Sequence, residues 1–354
     1  MFKENYSVLG VMSGTSLDGI DLAHIVFTVC DKKWDFKILE TATIPYSAEW
    51  LNKLKTAVSL PEEDLKPLNK EYTQLLAIII NDFLAKKQLK ELDAICSHGH
   101  TILHQPQKGY TLQIGNLPEI ATLTKHKVIC DFRIQDVQLG GQGAPLVPIG
   151  DQYLFPEFDY CMNLGGFSNI SYRENEKRLA FDISPVNTVL NHYANTLGLD
   201  YDNKGEIAKN GKCNDELLRE LNSLPFYRQK HPKSLGFEFV KETIIPIIER
   251  YNIAVEDTLN TFVKHVAMQI SLALPVKNGK MLLTGGGAYN VFLIDTLKEL
   301  LPDLEISIPD NKTIEFKEAL IFGLLGVLKI RNEVNTLSSV TGAKHDHSSG
   351  MIFT

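Results

Sequence analysis

The chain has 354 residues, more than one ordinary core accommodates and enough for two. Its 44% hydrophobic and 22% charged residues describe an ordinary soluble composition, and a net charge of −7 without any Lys/Arg run argues against a nucleic-acid partner. No stretch is long and apolar enough for a bilayer, no apolar signal core follows the polar start, and five scattered cysteines form no CxxC pair. A reduced, cytoplasmic protein is expected, with no membrane partner, no disulfide framework and no thiolate zinc site.

In chain order, residues 6–12 are apolar and β-rich, residues 13–19 small and polar, and residues 20–29 apolar again. A turn at residues 31–33 leads to a third strand at 36–44, so the chain opens with a β-meander whose first turn carries glycine. Helical spacing follows at 47–57 and 64–84, where Leu68, Tyr72, Leu75, Leu76, Ile79 and Phe83 share one face. Residues 92–96 read as a short buried strand running into Ser97-His98-Gly99-His100.

A second meander begins near Asp159: strands at 160–164, 167–172 and 179–183, with a Gly165-Gly166 turn and a charged turn at 174–177. The strand, glycine turn, strand, charged turn, strand pattern thus occurs twice, about 150 residues apart, the expected trace of a duplicated domain. The breaker-rich run Gly140-Gly141-Gln142-Gly143-Ala144-Pro145, followed by Pro148, places the boundary between residues 1–147 and 148–354. Further on, a helix is expected at 254–274, a buried strand at 281–283 ending in Thr284-Gly285-Gly286-Gly287, and an apolar helix at 317–330. Residues 338–354 read as a polar tail, ordered or mobile, with His345 and His347 solvated.

Three glycine turns stand at strand ends. In Ser13-Gly14-Thr15-Ser16-Leu17-Asp18-Gly19, small residues let main-chain N–H groups approach an anion, and the hydroxyls add donors. Asp18 or Asp21 could face magnesium, which favours carboxylate and water oxygens. A hairpin turn with solvated hydroxyls is the alternative. Gly285, Gly286 and Gly287 would let a flat nucleobase or ribose lie against main chain, since a simple strand–helix turn needs one glycine. Asp182, at a strand end beside Ser184-Pro185, suits a general base or a plain turn cap. His100 and His104 are four residues apart, as helical zinc ligands would be, but Thr101 stands where H-E-x-x-H has glutamate. P-loop, dinucleotide and nucleophile-elbow patterns are missing from the sequence.

The run Gly10-Val11-Met12-Ser13-Gly14-Thr15-Ser16-Leu17-Asp18-Gly19-Ile20-Asp21 resembles the opening of the anhydro-N-acetylmuramic acid kinases. Ser97-His98-Gly99, Leu112-Gln113-Ile114-Gly115, Asp131-Phe132-Arg133 with Asp136, and the stretch from Gly140 to Pro148 match the same family. So do Asn163-Leu164-Gly165-Gly166, Phe181-Asp182, Thr284-Gly285-Gly286-Gly287, Lys317-Glu318-Ala319 and Val340-Thr341-Gly342-Ala343.

The resemblance implies an α/β fold of two duplicated actin/hexokinase-like (ribonuclease H-like) domains around a central cleft. It also implies ATP and Mg2+, a small-molecule sugar substrate, a homodimer and a place in cell-wall recycling. The implied reaction opens the 1,6-anhydro ring of 1,6-anhydro-N-acetylmuramic acid with water and phosphorylates O6, giving N-acetylmuramic acid 6-phosphate and ADP. By the same resemblance Gly14, Thr15, Ser16, Leu17, Asp18, Gly19, Ile20 and Asp21 form one phosphate loop, with Asp18 towards magnesium. Gly165 and Gly166 belong to a second phosphate loop, Gly285, Gly286 and Gly287 contact the adenosine, and Asp182 activates water. His100, Gln113, Asp131, Arg133, Gln142 and Asn187 are expected on the sugar. Two motifs depart from the family pattern. Ile183 and Val186 stand where the family has Thr and Gly, and Ser184 replaces the other glycine; His100 replaces glutamine. A kinase for another amino sugar and a catalytically silent, nucleotide-gated sugar-binding regulator are the alternatives.

Overall fold

A computed structural model describes residues 2–14 and 17–354. The chain divides into two compact units, Met1–Leu154 with Phe316–Thr354, and Phe155–Glu315. The expected division gives everything from residue 148 to the second domain; here residues 316–354 pack with the N-terminal unit.

In the first unit, β1 (Asn5–Ser13), β2 (Ile20–Cys30) and β3 (Lys33–Ile44) form an antiparallel meander. Asp31 and Lys32, at φ 49° and 65°, close the tight second turn. β4 (Ala94–Gln105) runs parallel to β1, and β5 (Tyr110–Ile114) folds back on β4 as a hairpin. β6 (Val128–Cys130) lies parallel to β4. The sequence suggests that the strand ends near Cys96; β4 instead continues through the histidines to Gln105, paired first with β1 and then with β5. His100 and His104 therefore sit on a strand, not a helix. The helix Glu62–Lys86 buries Leu68, Tyr72, Leu76, Ile80 and Phe83 in one core with Leu9, Val11, Leu22 and Ile95. This is the periodic stripe read from the sequence meeting the inward face of the sheet.

In the second unit, β7 (Tyr160–Leu164), β8 (Phe167–Glu174) and β9 (Lys177–Pro185) repeat the antiparallel meander. β10 (Gly279–Thr284) lies parallel to β7, and β11 (Leu304–Ser307) parallel to β10. The helix Val255–Ala273 buries Leu259, Phe262, Val263, Val266 and Ile270 in a core with Met162, Leu164, Met281 and Leu283.

The two sheets share one topology. The order is β3-β2-β1-β4-β6 in the first and β9-β8-β7-β10-β11 in the second. In each, a meander is followed by two parallel strands added beyond its first member, the arrangement of the actin–hexokinase fold. β12 (Met351–Phe353) extends the first sheet antiparallel to β6.

The C-terminal stretch is built into the first unit. Asn335 Nδ2 donates to Ser349 O at 2.9 Å, and Ser349 Oγ donates to Phe132 O at 2.6 Å. His345 is exposed as expected, but His347 is buried, its Nε2 3.6 Å from Asp136 Oδ1. The sequence around His347 is polar, so burial there comes from tertiary docking that no local pattern reveals.

Candidate functional site

β1 ends at Ser13 and β2 begins at Ile20, so the first glycine turn connects two paired strands. The Leu17 N–H donates to Gly14 O at 3.3 Å, with Leu17 at φ 63°. Gly19 has φ 146°, and a Cβ there would meet Ile44 O at 2.6 Å, so glycine is required. Asp18 is exposed, and Asp21 Oδ1 accepts from Thr43 Oγ1 at 2.6 Å. Ile20 puts its side chain in the core, which leaves only its main chain to a ligand. Thr15 and Ser16, expected as hydroxyl donors, lie outside the described residues.

Ser13 does not offer its hydroxyl to an anion. It is buried among Tyr46 OH, Tyr72 OH at 3.0 Å and His100 Nδ1 at 2.8 Å. Tyr46 and Tyr72 bond to each other at 2.6 Å, closing a hydroxyl triangle beneath the turn. Burial pushes His100 down to about 4, so its imidazole is neutral near pH 7. The residue that departs from the family pattern is thus a hydrogen-bonding strut under the first turn.

A second group surrounds Asp131. Asn116 Nδ2 donates to Asp131 Oδ1 at 2.9 Å and to His98 O at 3.2 Å. Burial raises the Asp131 carboxyl to about 6, against the opposing pull of the Asn116 donor. Gln113 Nε2 donates to Thr111 Oγ1 at 2.8 Å. Among the described residues, the buried Gln113 Oε1 and Asn116 Oδ1 have no hydrogen-bond partner. Buried acceptors of this kind are matched chemically by hydroxyl or amide N–H donors. Sequence reasoning missed Asn116, although it directly follows the Leu112-Gln113-Ile114-Gly115 motif.

Arg133 ties this group to the glycine-rich run. Its Nε donates to His98 Nε2 at 2.9 Å and its NH1 to Gly143 O at 2.6 Å. Burial pulls the guanidinium down to about 10, while Glu318 and Asp136 hold it charged. Asp136, fully buried, accepts from Gly143 N at 2.7 Å and from Thr341 Oγ1 at 2.7 Å. A Cβ at Gly141 would lie 2.2 Å from Asp136 Oδ2, so the run folds around that carboxylate only with glycine there. Gln142 stands exposed at the tip, its N–H donating to Thr341 O at 2.8 Å.

For a cation, the described residues hold no cluster of three or more His, Cys, Asp or Glu side chains. Magnesium does not need one, since it takes one or two carboxylates plus phosphate and water. The Glu318 side chain reaches solvent but stands among protein atoms that partly desolvate it; that desolvation and the charge of Asp21 raise its carboxyl, with Arg133 and Lys317 pulling the other way. A nearby dication would relieve that repulsion, so this acidic field fits magnesium.

In the second unit, the Gly165-Gly166 turn joins β7 to β8 and is tied to the helix Asn187–Thr196. The N–H groups of Val186 and Thr188 donate to Gly166 O, and that of Asn187 to Gly165 O. Asn187 Nδ2 donates to Leu164 O at 3.3 Å and lies 3.5 Å from where a Gly286 Cβ would be. The structure therefore brings Asn187, expected on the sugar, to the glycine turns. Gly285, at φ 82°, and Gly287 both press on Leu164, so packing alone demands them; Gly286 meets nothing closer than Asn187. Of the three glycines, Gly286 is the one left for a ligand to approach.

Ile183 and Val186, the bulky residues in place of the family's smaller ones, bury their side chains in the core of this unit. Asp182 lies between β8 and the segment 229–236. It pairs across β8 with Asn169, its N–H donates to Lys233 O at 3.0 Å, and its Oδ2 accepts from Leu235 N at 2.8 Å. Burial raises its carboxyl, and the Leu235 N–H lowers it. A partly buried carboxylate with one fixed oxygen has the chemistry of a proton acceptor.

Residues 6–354 match the family model described as anhydro-N-acetylmuramic acid kinase. The chain is 35% identical to the anhydro-N-acetylmuramic acid kinase of Mannheimia succiniciproducens over 379 aligned residues, covering 100% of both chains. It is 33% identical to that of Pseudomonas syringae pv. tomato, covering 99% of both. Against that of Haemophilus influenzae it is 33% identical, over 98% of this chain and 97% of the relative.

Proposed function

The chain belongs to the anhydro-N-acetylmuramic acid kinase family, and from that premise we propose how its own residues carry the reaction. It is a nucleotide-using sugar kinase of cell-wall recycling. ATP donates the phosphoryl group and 1,6-anhydro-N-acetylmuramic acid receives it. A water molecule attacks the anomeric carbon and loses its proton to the Asp182 carboxylate. The bond from that carbon to O6 breaks with its electron pair going to O6. O6 takes the γ-phosphoryl group, and ADP leaves. The products are N-acetylmuramic acid 6-phosphate and ADP, with every atom of water, sugar and ATP accounted for.

Phosphoryl transfer asks the protein for positioning, charge neutralisation and one base. Gly14, Asp18 and Gly19 in the first turn are assigned to phosphate, and Gly165 and Gly166 form a turn of the same kind within the second unit. Gly286, flanked by Gly285 and Gly287, takes the adenosine face. Magnesium would be held by Asp18, phosphate and water beside the acidic field of Asp21 and Glu318, and supplies charge neutralisation at the transferring group. Gln113, Asn116 and Asp131 accept hydrogen bonds from the sugar, Arg133 fixes the frame around them, and Gln142 stands at its rim. The scattered cysteines, none of them in a CxxC pair, support a cytoplasmic setting.

The observation that carries the reading is the Asp182 carboxylate, partly buried, raised by that burial and held by one main-chain donor. The test is ADP release across a panel of anhydro and reducing amino sugars. Turnover with the 1,6-anhydro sugar and slow hydrolysis without sugar are expected. ATP hydrolysis indifferent to every sugar in the panel would overturn the reading.

A further inference from the structure

β9 is the outer strand of its sheet, so one side of its main chain is open to another segment. Residues 229–236 take that place at Asp182. The Asp182 N–H donates to Lys233 O at 3.0 Å, and the Leu235 N–H returns to Asp182 Oδ2 at 2.8 Å. The His231 ring stacks on Phe181 at 5.2 Å between centroids and 12° between planes. These contacts hold the Phe181 ring, the Asp182 N–H and one oxygen of the Asp182 carboxylate.

The segment is largely exposed, so it needs anchoring from elsewhere. Lys233 Nζ donates to Phe226 O at 3.3 Å and lies 4.5 Å over the Phe226 ring. The next residue, Tyr227, bonds through its hydroxyl to His265 Nε2 at 2.8 Å. His265 is fully buried, and its Nδ1 lies 2.7 Å from Asn222 Oδ1, which also accepts from Gln269 Nε2 at 2.7 Å. Asn222 Oδ1 can only accept, so His265 donates from Nδ1 and its Nε2 accepts from the Tyr227 hydroxyl. Burial pulls His265 down to about 3, which keeps this anchor neutral throughout the working pH range.

We propose that residues 229–236 are a positioning strap for Asp182: the Leu235 N–H occupies Oδ2 and leaves Oδ1 as the oxygen that takes the proton from water. The inference rests on the reading of Asp182 as the base. Leu235 is a positioning residue through its main chain, and Lys233 through its hold on Phe226. A donor on a carboxylate favours the charged form, so the strap also keeps the base deprotonated against the effect of burial. From β8, Asp182 faces Asn169, which carries no charge; the strap brings His231, against Phe181, and Lys233, over Phe226.

The test follows the Asp182 carboxyl directly, by 13C NMR titration of aspartate-labelled protein, with the Asp182 signal assigned by its loss in Asp182→Asn. Replacing the Ser234–Leu235 amide by an ester exchanges the one N–H for an oxygen while keeping the side chains and nearly the same backbone shape. The Asp182 midpoint is expected to rise by about one pH unit, and kcat below the midpoint to fall about tenfold, one unit being a factor of ten in the protonation equilibrium. Lys233→Met should move both in the same direction and Lys233→Arg should restore them, while the apparent KM for ATP holds in all three. Because the strap is exposed, these variants should melt close to the parent. A midpoint unmoved by the ester in a protein whose Asp182→Asn variant is inactive overturns the strap alone. An Asp182→Asn variant within tenfold of parental activity overturns the base assignment beneath it.

Discussion

Asp131 combines a left-handed backbone, at φ 57°, with a carboxyl raised from 3.8 to about 6 by burial. Between those values the folded protein holds a proton that the unfolded chain has released. Stability therefore falls as pH rises from about 4 to about 6 and stays lower above that window. The displacement corresponds to at most about 3 kcal/mol, since one pKa unit is about 1.4 kcal/mol. Asp131→Asn keeps an oxygen for the Asn116 donor and removes the charge. Its thermal midpoint should exceed the parent's at pH 7, with the gap closing towards pH 4, while its turnover of the sugar falls. Parallel melting curves across that range would show that Asp131 is not strained by its charge. A stabilising change that damages function is the expected mark of a site residue. The sequence singles out Asp131 only by family resemblance. Nothing local shows the burial or the unpartnered oxygens of Gln113 and Asn116 that give the residue its chemistry. Asp182 is a similar case: a strand-end aspartate is legible, but the donor that fixes it is a main-chain N–H distant in sequence, to which side-chain identity gives no clue.

Strands and helices are far more legible, because alternation and helical periodicity survive in the sequence wherever one face is buried. Both meanders, the helix Val255–Ala273 and the stripe on Glu62–Lys86 follow their expected spans closely. β4 reads short because its second half is rich in histidine and glycine, residues that look like loop until a partner strand is known. The helix Asn311–Ile330 is expected only from residue 317. Phe316, at φ −111° and ψ 17°, breaks its geometry at that point. Its glycines have a specific cause. A Cβ at Gly326 would lie 2.1 Å from Cys96 Sγ, and one at Gly10 on β1 would lie 2.0 Å from Ala319 O. The helix meets the β1 backbone at Gly10 and the Cys96 side chain of β4 at Gly326. Gly→Ala inside a helix ordinarily gains about 1 kcal/mol, whereas overpacking costs about 1–3 kcal/mol. The contact decides the sign: Gly326→Ala should destabilise in urea unfolding. Adding Cys96→Ala should recover part of the loss, because the sulfur is the nearest obstacle. A stabilised Gly326→Ala protein would mean that the helix does not sit this close to β4.

At the scale of the whole molecule, the chain folds as two units of the same strand order, but one is assembled from both ends of the sequence. That discontinuity is invisible in the sequence because a repeat locates the start of the second copy and says nothing about where the chain leaves it. The return occurs at Phe316, and residues 316–354 hold the first unit's site together. Thr341 supplies one hydrogen bond to the buried Asp136, whose other oxygen orders Gly143. Ser349 reaches Phe132 O, beside Asp131 and Arg133, and β12 pairs the edge of β6 directly before them. Removing residues 331–354 would therefore leave Asp136 with an unsatisfied charge-bearing oxygen in the core and open the β6 edge, a cost of several kcal/mol by the usual penalty for an orphaned buried carboxylate. Hydrogen exchange should show lost protection at β6 and across residues 131–143. The helix Val255–Ala273 and β7–β10, which draw no core contact from that segment, should keep theirs. Sugar binding should fail while nucleotide binding at the Gly285-Gly286-Gly287 turn persists at reduced strength. Uniform loss of protection through both units would instead mean that the molecule unfolds as one cooperative body, and that the C-terminal residues stabilise the whole chain rather than the first unit.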